Sequence, residues 1–85
     1  MKGTKFILKG YCGNKIDIIC ESDYPSGIIH CIHNYKNYIR KNGYSLAAWA
    51  ELQDGREIFL DAGGNVGDYN EREMEAKVAD AIKHP

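Results

Sequence analysis

No stretch of this chain is long and apolar enough to cross a bilayer. A membrane span takes roughly 20 apolar residues, and the longest unbroken apolar run, Leu46 to Ala50, has five. The opening Met1-Lys2-Gly3-Thr4-Lys5 is polar and leads into no apolar run of signal-peptide length, so no leader is expected. Cysteine is scarce and odd in number: Cys12, Cys20 and Cys31 are too few for a disulfide-stapled secreted domain. These absences point to a soluble protein of a reducing compartment, cytoplasmic and, if phage-encoded, in the cytoplasm of the host cell. At 85 residues the chain reads as a single small domain, 1–85, which buries only about two thirds of its unfolded surface. A surface site is favoured over a deep cleft.

Excess charge of one sign is also missing, but only in the sum. The formal net charge is −1, whereas residues 1–43 hold seven Lys/Arg against three Asp/Glu and residues 44–85 hold four against nine. The halves differ in sign. They can attract each other within one fold, or present a basic or an acidic surface to a partner.

What is present begins with a hairpin. Tyr44 to Asp61 reads as two strands joined at Asp54-Gly55, residues that accept the positive φ of a two-residue turn. That turn would pair Glu51 with Ile58, Ala50 with Phe59 and Trp49 with Leu60. One face then carries Ala47, Trp49, Glu51, Ile58 and Leu60; the other carries Leu46, Ala48, Ala50, Leu52, Glu57, Phe59 and Asp61. Neither is polar enough to be a solvent-washed face, so both call for cover.

An earlier hairpin spans Lys5 to Gly10 and Lys15 to Glu21. A three-residue loop, Cys12-Gly13-Asn14, would set Leu8 opposite Ile18 and Lys9 opposite Asp17, matching apolar and charge patterns together. Asp23 or Ser26 then offers a helix cap, with Pro25 tolerated in the first turn. Ile28, Ile32, Tyr35 and Ile39 form a buried helical stripe, stopped by Gly43. After a glycine-rich loop, 62–70, a second helix starts near Asp68 or Asn70 and buries Met74, Val78, Ala81 and Ile82. The predicted fold is therefore α+β, in the order ββαββα: a four-stranded, mainly antiparallel sheet with two helices packed on one face. A weak repeat accompanies it, since Lys15-Ile-Asp-Ile and Arg56-Glu-Ile-Phe recur 41 residues apart.

Catalytic and cofactor motifs are lacking. Asp61-Ala-Gly-Gly-Asn-Val-Gly-Asp68 has the strand–loop–helix layout of a phosphate cradle, but it contains no lysine and is bracketed by acids; nor does it match a calcium-loop spacing. His30 and His33 could share an ion, yet Cys31 points away from them toward the core stripe and further ligands are wanting. Cys12 has no base brought to it by spacing. No enzyme activity, cofactor, metal or small-molecule substrate is expected; a metal-binding domain or small enzyme ranks behind two binding readings.

The first binding reading is protein. The uncovered sheet face would carry some of Ile7, Tyr11, Ile19, Trp49, Ile58, Phe59 and Leu60, aromatic and aliphatic anchors for a protein partner or for a second copy in a homodimer. The second is nucleic acid, through Tyr35, Lys36, Tyr38, Arg40, Lys41 and Tyr44, where rings for stacking alternate with cations. In size, charge and aromatic make-up the chain is similar to small accessory proteins of phages and mobile elements, including the anti-CRISPR class. That resemblance implies an inhibitor or adaptor that acts by binding.

Overall fold

The computed structural model describes residues 3–84; Met1 and Lys2, part of the polar opening, lie outside the described residues. Its order is β1 (Lys5–Cys12), β2 (Lys15–Ser22), α1 (Pro25–Asn34), α2 (Lys36–Asn42), β3 (Ser45–Glu51), β4 (Glu57–Ala62), a 3₁₀ turn (Val66–Asp68) and α3 (Glu71–Lys83). The strands form one antiparallel sheet in the order β2-β1-β3-β4. This is the expected α+β architecture, with the first helical stretch divided in two.

Alternation along the central strands sorts the faces. Phe6 and Leu8 of β1 and Leu46, Ala48 and Ala50 of β3 point to one side, where they join Ile28, Cys31, Ile32, Ile39, Met74 and Val78 from the helices in a single core. Every helix sends its buried residues to that side. The shortest extent of the molecule, 16 Å between Cα atoms, fits one sheet and one layer of helices. No helix of the described residues is long and apolar enough to cross a membrane.

Both hairpins depart by one residue from the registers the sequence suggested. In the first, Cys12 pairs with Lys15, so the turn is the two-residue Gly13-Asn14 with Gly13 at φ 60°, and Lys9 lies opposite Ile18. In the second, Leu52 donates to the Arg56 carbonyl at 2.8 Å, so the loop holds three residues, Gln53-Asp54-Gly55, with Gly55 at φ 92°. Glu51 then meets Glu57, and Trp49 meets Phe59. Because side chains alternate with period two, that single residue moves Phe59 to the side of Trp49 and sends Ile58 to the core side.

Each edge strand also carries a bulge. Leu8 pairs with Cys20 and Lys9 with Ile18, leaving Ile19 unpaired; Ala48 pairs with Asp61 and Trp49 with Phe59, leaving Leu60 unpaired. Ile19 packs against the core and Leu60 is fully buried in it. The two bulged residues stand 41 positions apart, the offset of the sequence repeat. The strands before the turns correspond at an offset of 40, because the second loop is one residue longer. The hairpins are thus built alike and joined through their first strands, with their second strands as the two edges. The Leu60 carbonyl, freed from the ladder by the bulge, accepts from Lys77 Nζ and so helps tie β4 to α3.

The helices differ in smaller ways. Tyr24, not Asp23 or Ser26, occupies the first cap and makes no side-chain cap bond; Pro25 follows at the first helical turn. The stripe breaks at Tyr35, whose φ of −105° and ψ of 19° end α1, and its ring is exposed rather than buried. Gly43 stops α2 in the left-handed region, as expected. Asn70 caps α3 by accepting from Glu73 N at 3.0 Å. Met74 and Val78 are buried, Ala81 packs at the margin and Ile82 is exposed. Tyr69, unassigned from sequence, enters the core and donates its hydroxyl to the Gly63 carbonyl at 2.7 Å.

Candidate interaction surface

The face of the sheet away from the helices is built by the other half of each alternation. β1 supplies Lys5, Ile7, Lys9 and Tyr11; β3 supplies Ala47, Trp49 and Glu51; β2 supplies Ile16, Ile18 and Glu21; β4 supplies Glu57 and Phe59. Across the strands one row runs Glu21, Ile7, Trp49, Phe59.

Trp49 is the fixed centre of this surface. Its Nε1 donates to Tyr11 Oη at 2.9 Å, Phe59 meets it edge-on with ring centroids 5.6 Å apart at 77°, and Lys9 Nζ stands 4.7 Å from its ring centroid. Edge-on rings are worth about 0.5–1.5 kcal/mol beyond area burial, and an exposed cation over a ring about 0.5–1 kcal/mol. The indole is thus held in one orientation before any partner arrives, which lowers the ordering cost of binding.

The charges on this face are largely paired among themselves. Lys9 Nζ lies 2.6 Å from Glu57 Oε1, and Lys5 Nζ lies 3.9 Å from Glu21 Oε1. Apart from the exposed Glu51, what remains open is largely apolar: Ile16 is 62% exposed, Ile18 59% and Phe59 52%. Ile18 and Phe59 are 41 residues apart, so the repeat sets one apolar knob on each edge strand. With three strand spacings and a two-residue stagger along the strands between them, they stand about 16 Å apart.

Four of the residues expected on an open face are brought together there: Ile7, Tyr11, Trp49 and Phe59. Ile7 is already covered by its surroundings, with 3% of its surface exposed, and adds little contact area. Ile19, Ile58 and Leu60 are corrections. The bulges turn Ile19 and Leu60 into the core, and the shifted register puts Ile58 opposite Ala50 on the helix side. Ile16 and Ile18 are the members that the sequence reading missed. Their alternation with Lys15 and Asp17 carries the signal, but it selects a face only once the Gly13-Asn14 turn is known.

The basic, tyrosine-rich segment lies elsewhere, on the helix layer. Tyr35 and Tyr38 expose their rings, and Tyr38 and Tyr44 sit tilted with centroids 6.1 Å apart. Tyr44 donates its hydroxyl to Asp17 Oδ2 at 2.6 Å, and that bond raises its phenol above the ordinary range. Lys36 and Arg40 reach a groove on the opposite side of α2 from solvent-facing Lys41; Lys41 itself is not among the groove's lining residues.

The remaining candidates separate. His30 and His33 are both exposed, and no group of three or more His, Cys, Asp or Glu suited to a metal occurs among the described residues. Cys20 on β2 and Cys31 on α1 are neighbours, and the Cys31 thiol, then burial, pushes the Cys20 thiol up. Cys12 is exposed, with Sγ 3.6 Å from the Asn42 carbonyl. In the glycine-rich loop, Asp68 turns inward: its Oδ2 accepts from Asn65 N at 3.0 Å, while the Asn65 side chain accepts in return from the Asp68 backbone.

Comparison of the chain with models of protein families, with curated proteins and with solved structures finds no match.

Proposed function

We propose that this protein is a non-enzymatic protein-binding module whose interface is the open face of its sheet. The observation that carries this reading is the apolar surface left by Ile16, Ile18 and Phe59 around an immobilised Trp49. An aromatic centre with aliphatic neighbours is the make-up of an interface hot spot.

The face also indicates what fits it. Its lysines are already held by its own glutamates, so it asks for a near-neutral, apolar counterpart rather than a polyanion. A second copy of the chain offers such a counterpart. The like-built hairpins place equivalent knobs on both flanks, a pattern suited to a two-fold contact in which each copy's Ile18 and Phe59 meet the other's sheet. A host protein with a similar surface would compete for the same site, and the role of inhibitor or adaptor, implied by the resemblance to small phage accessory proteins, would be exercised there.

The test is molar mass by light scattering over micromolar to millimolar concentration. Wild type is expected to approach twice the chain mass, whereas Ile18→Asp and Phe59→Asp are expected to stay at chain mass with unchanged far-ultraviolet circular dichroism. A wild type that remains monomeric throughout overturns the two-fold contact, and equal masses for wild type and both variants remove the open face from any association seen.

A further inference from the structure

A groove on the helix layer, remote from the open face, has the features of a second site. It lies between the α1–α2 junction and the turn at Gly64-Asn65, and comprises two adjoining hollows of about 220 and 290 Å³ that share Ile32, Lys36, Gly64 and Asn65. The first adds Ile39, Arg40 and Tyr44; the second adds His33 and Val66. The helical side thus supplies the cations Lys36 and Arg40, and the loop side supplies Gly64, Asn65 and Val66.

The cations on it are uncommitted. Among the described residues the ion pairs involve Lys5, Lys9, Arg56 and His84, and neither Lys36 nor Arg40. Two carboxylates bonded to lining residues have donors of their own: Asp68 accepts from Asn65 N, and Asp17 accepts from the Tyr44 hydroxyl. Lys36 and Arg40 stand four apart on α2, which sets them side by side on one face of that helix, and His33 at the end of α1 lies next to Lys36 in the second hollow. The Asn65 side-chain oxygen already accepts from Asp68, which leaves its NH₂ group to donate to a ligand. The side chains of Lys36, Arg40 and Asn65 thus offer the groove cations and a donor.

We propose that this groove binds a phosphate-bearing ligand of nucleotide size, with Lys36 and Arg40 holding the phosphate and Tyr44 and the exposed Val66 bordering the planar, less polar body. A guanidinium and an ammonium together match a doubly charged phosphate better than a single carboxylate. The volume is at the small end for ligand pockets, enough for one nucleotide and too little for a dinucleotide cofactor. Asp68, hydrogen-bonded to Asn65 N, keeps its charge on the loop side, so the phosphate belongs on the helix side, at Lys36 and Arg40.

The ligand can be a free nucleotide or one residue of a single strand; the chemistry in the groove is the same. Strand binding would in addition engage Lys41 and the exposed rings of Tyr35 and Tyr38 outside it.

The experiment is a nitrogen-15 amide titration of the full chain with adenosine and guanosine monophosphates, inorganic phosphate and a short oligothymidylate. Nucleotides are expected to shift the amides of Lys36, Arg40, Gly64 and Asn65, and to bind more tightly than inorganic phosphate. Lys36→Gln and Arg40→Gln, both at exposed positions, should each weaken binding about tenfold without loss of fold. Lys41→Gln separates the sources: unchanged nucleotide binding with no gain for the oligomer identifies a free nucleotide, and a tighter, salt-sensitive oligomer that weakens in this variant identifies a strand. The proposal fails if no titrant shifts those amides, if the shifts survive in the Lys36→Gln/Arg40→Gln double variant, or if inorganic phosphate binds as well as the nucleotides. Ile18→Asp should leave all of this unchanged, so the outcome is independent of the open face.

Discussion

Alanine at two neighbouring positions, Phe59 and Leu60, distinguishes the observed register from its one-residue alternative. Leu60 is completely buried, and the cost of Leu60→Ala combines lost transfer energy with the cavity left behind, about 3 kcal/mol within a range of about 2–5. Phe59 keeps 52% of its surface in water. Burying a whole large apolar side chain is worth about 1.5–3 kcal/mol, so its buried half and its edge contact with Trp49 amount to about 1–3 kcal/mol. In a domain of this size 1 kcal/mol moves Tm by about 4–8 °C. Leu60→Ala should therefore lower Tm by roughly 12–24 °C and Phe59→Ala by about 4–24 °C, with the smaller loss expected at Phe59, measured by circular dichroism on dilute monomer. A second readout widens the separation. Association through the open face makes Tm rise with protein concentration, and that dependence should vanish in Phe59→Ala and persist in Leu60→Ala. A larger loss at position 59 than at 60 would refute the assignment of faces, since it is the result expected if Leu60 shared the side of Trp49.

Three further outcomes follow from individual contacts. Gly10→Ala would bring a methyl group within 2.8 Å of both Ile19 Cδ1 and Tyr44 Cδ1, and should cost about 1–3 kcal/mol in urea unfolding, whereas Gly67→Ala, which meets nothing within 4 Å, should be close to neutral. Native protein treated with a thiol reagent should label fast at Cys12 and slowly at Cys20 and Cys31 until it is unfolded, as peptide mapping would report. The Tyr69 phenol is raised by burial and then by the charges of Asp61 and Asp68, so its neutral form is favoured in the folded state. Its contribution is complete below the unfolded value of about 10 and is lost as pH climbs toward the raised folded value; Tyr69→Phe should flatten that alkaline decline in stability.

How far the fold was legible follows from the kind of signal each element carries. Period-two and period-3.6 patterns are local, so the four strands, the sheet's antiparallel character and the burial of Ile28, Ile32, Met74 and Val78 could be read directly. Gly43 announced the end of α2 through a conformation that other residues adopt at a cost. Register is different, because it depends on where a turn closes. Asp54-Gly55 is a strong two-residue signal, yet a loop that also takes in Gln53 uses the same glycine at positive φ. The sequence reading chose the shorter loop in the second hairpin and the longer one in the first, and each choice misplaced one strand's faces. The bulges at Ile19 and Leu60 then put back into the core two side chains that simple alternation exposes. Trp49, Tyr11 and Ile7 were placed correctly because β1 and β3 pair without a bulge in the central ladder. Tyr35 was misread for another reason: helical spacing continues through it, and the break between α1 and α2 leaves no mark such as proline or glycine.

The account rests on the open face being a surface that another protein covers. Solvent paramagnetic relaxation of the isoleucine methyl groups, recorded while wild-type concentration is raised, addresses it most directly. In dilute solution the methyls of Ile16 and Ile18 should relax strongly and those of Ile28 and Ile32 weakly; on concentration, Ile16 and Ile18 should become protected while exposed Ile82 on α3 stays accessible. Protection of Ile82 with Ile16 and Ile18 left in solvent would contradict the account.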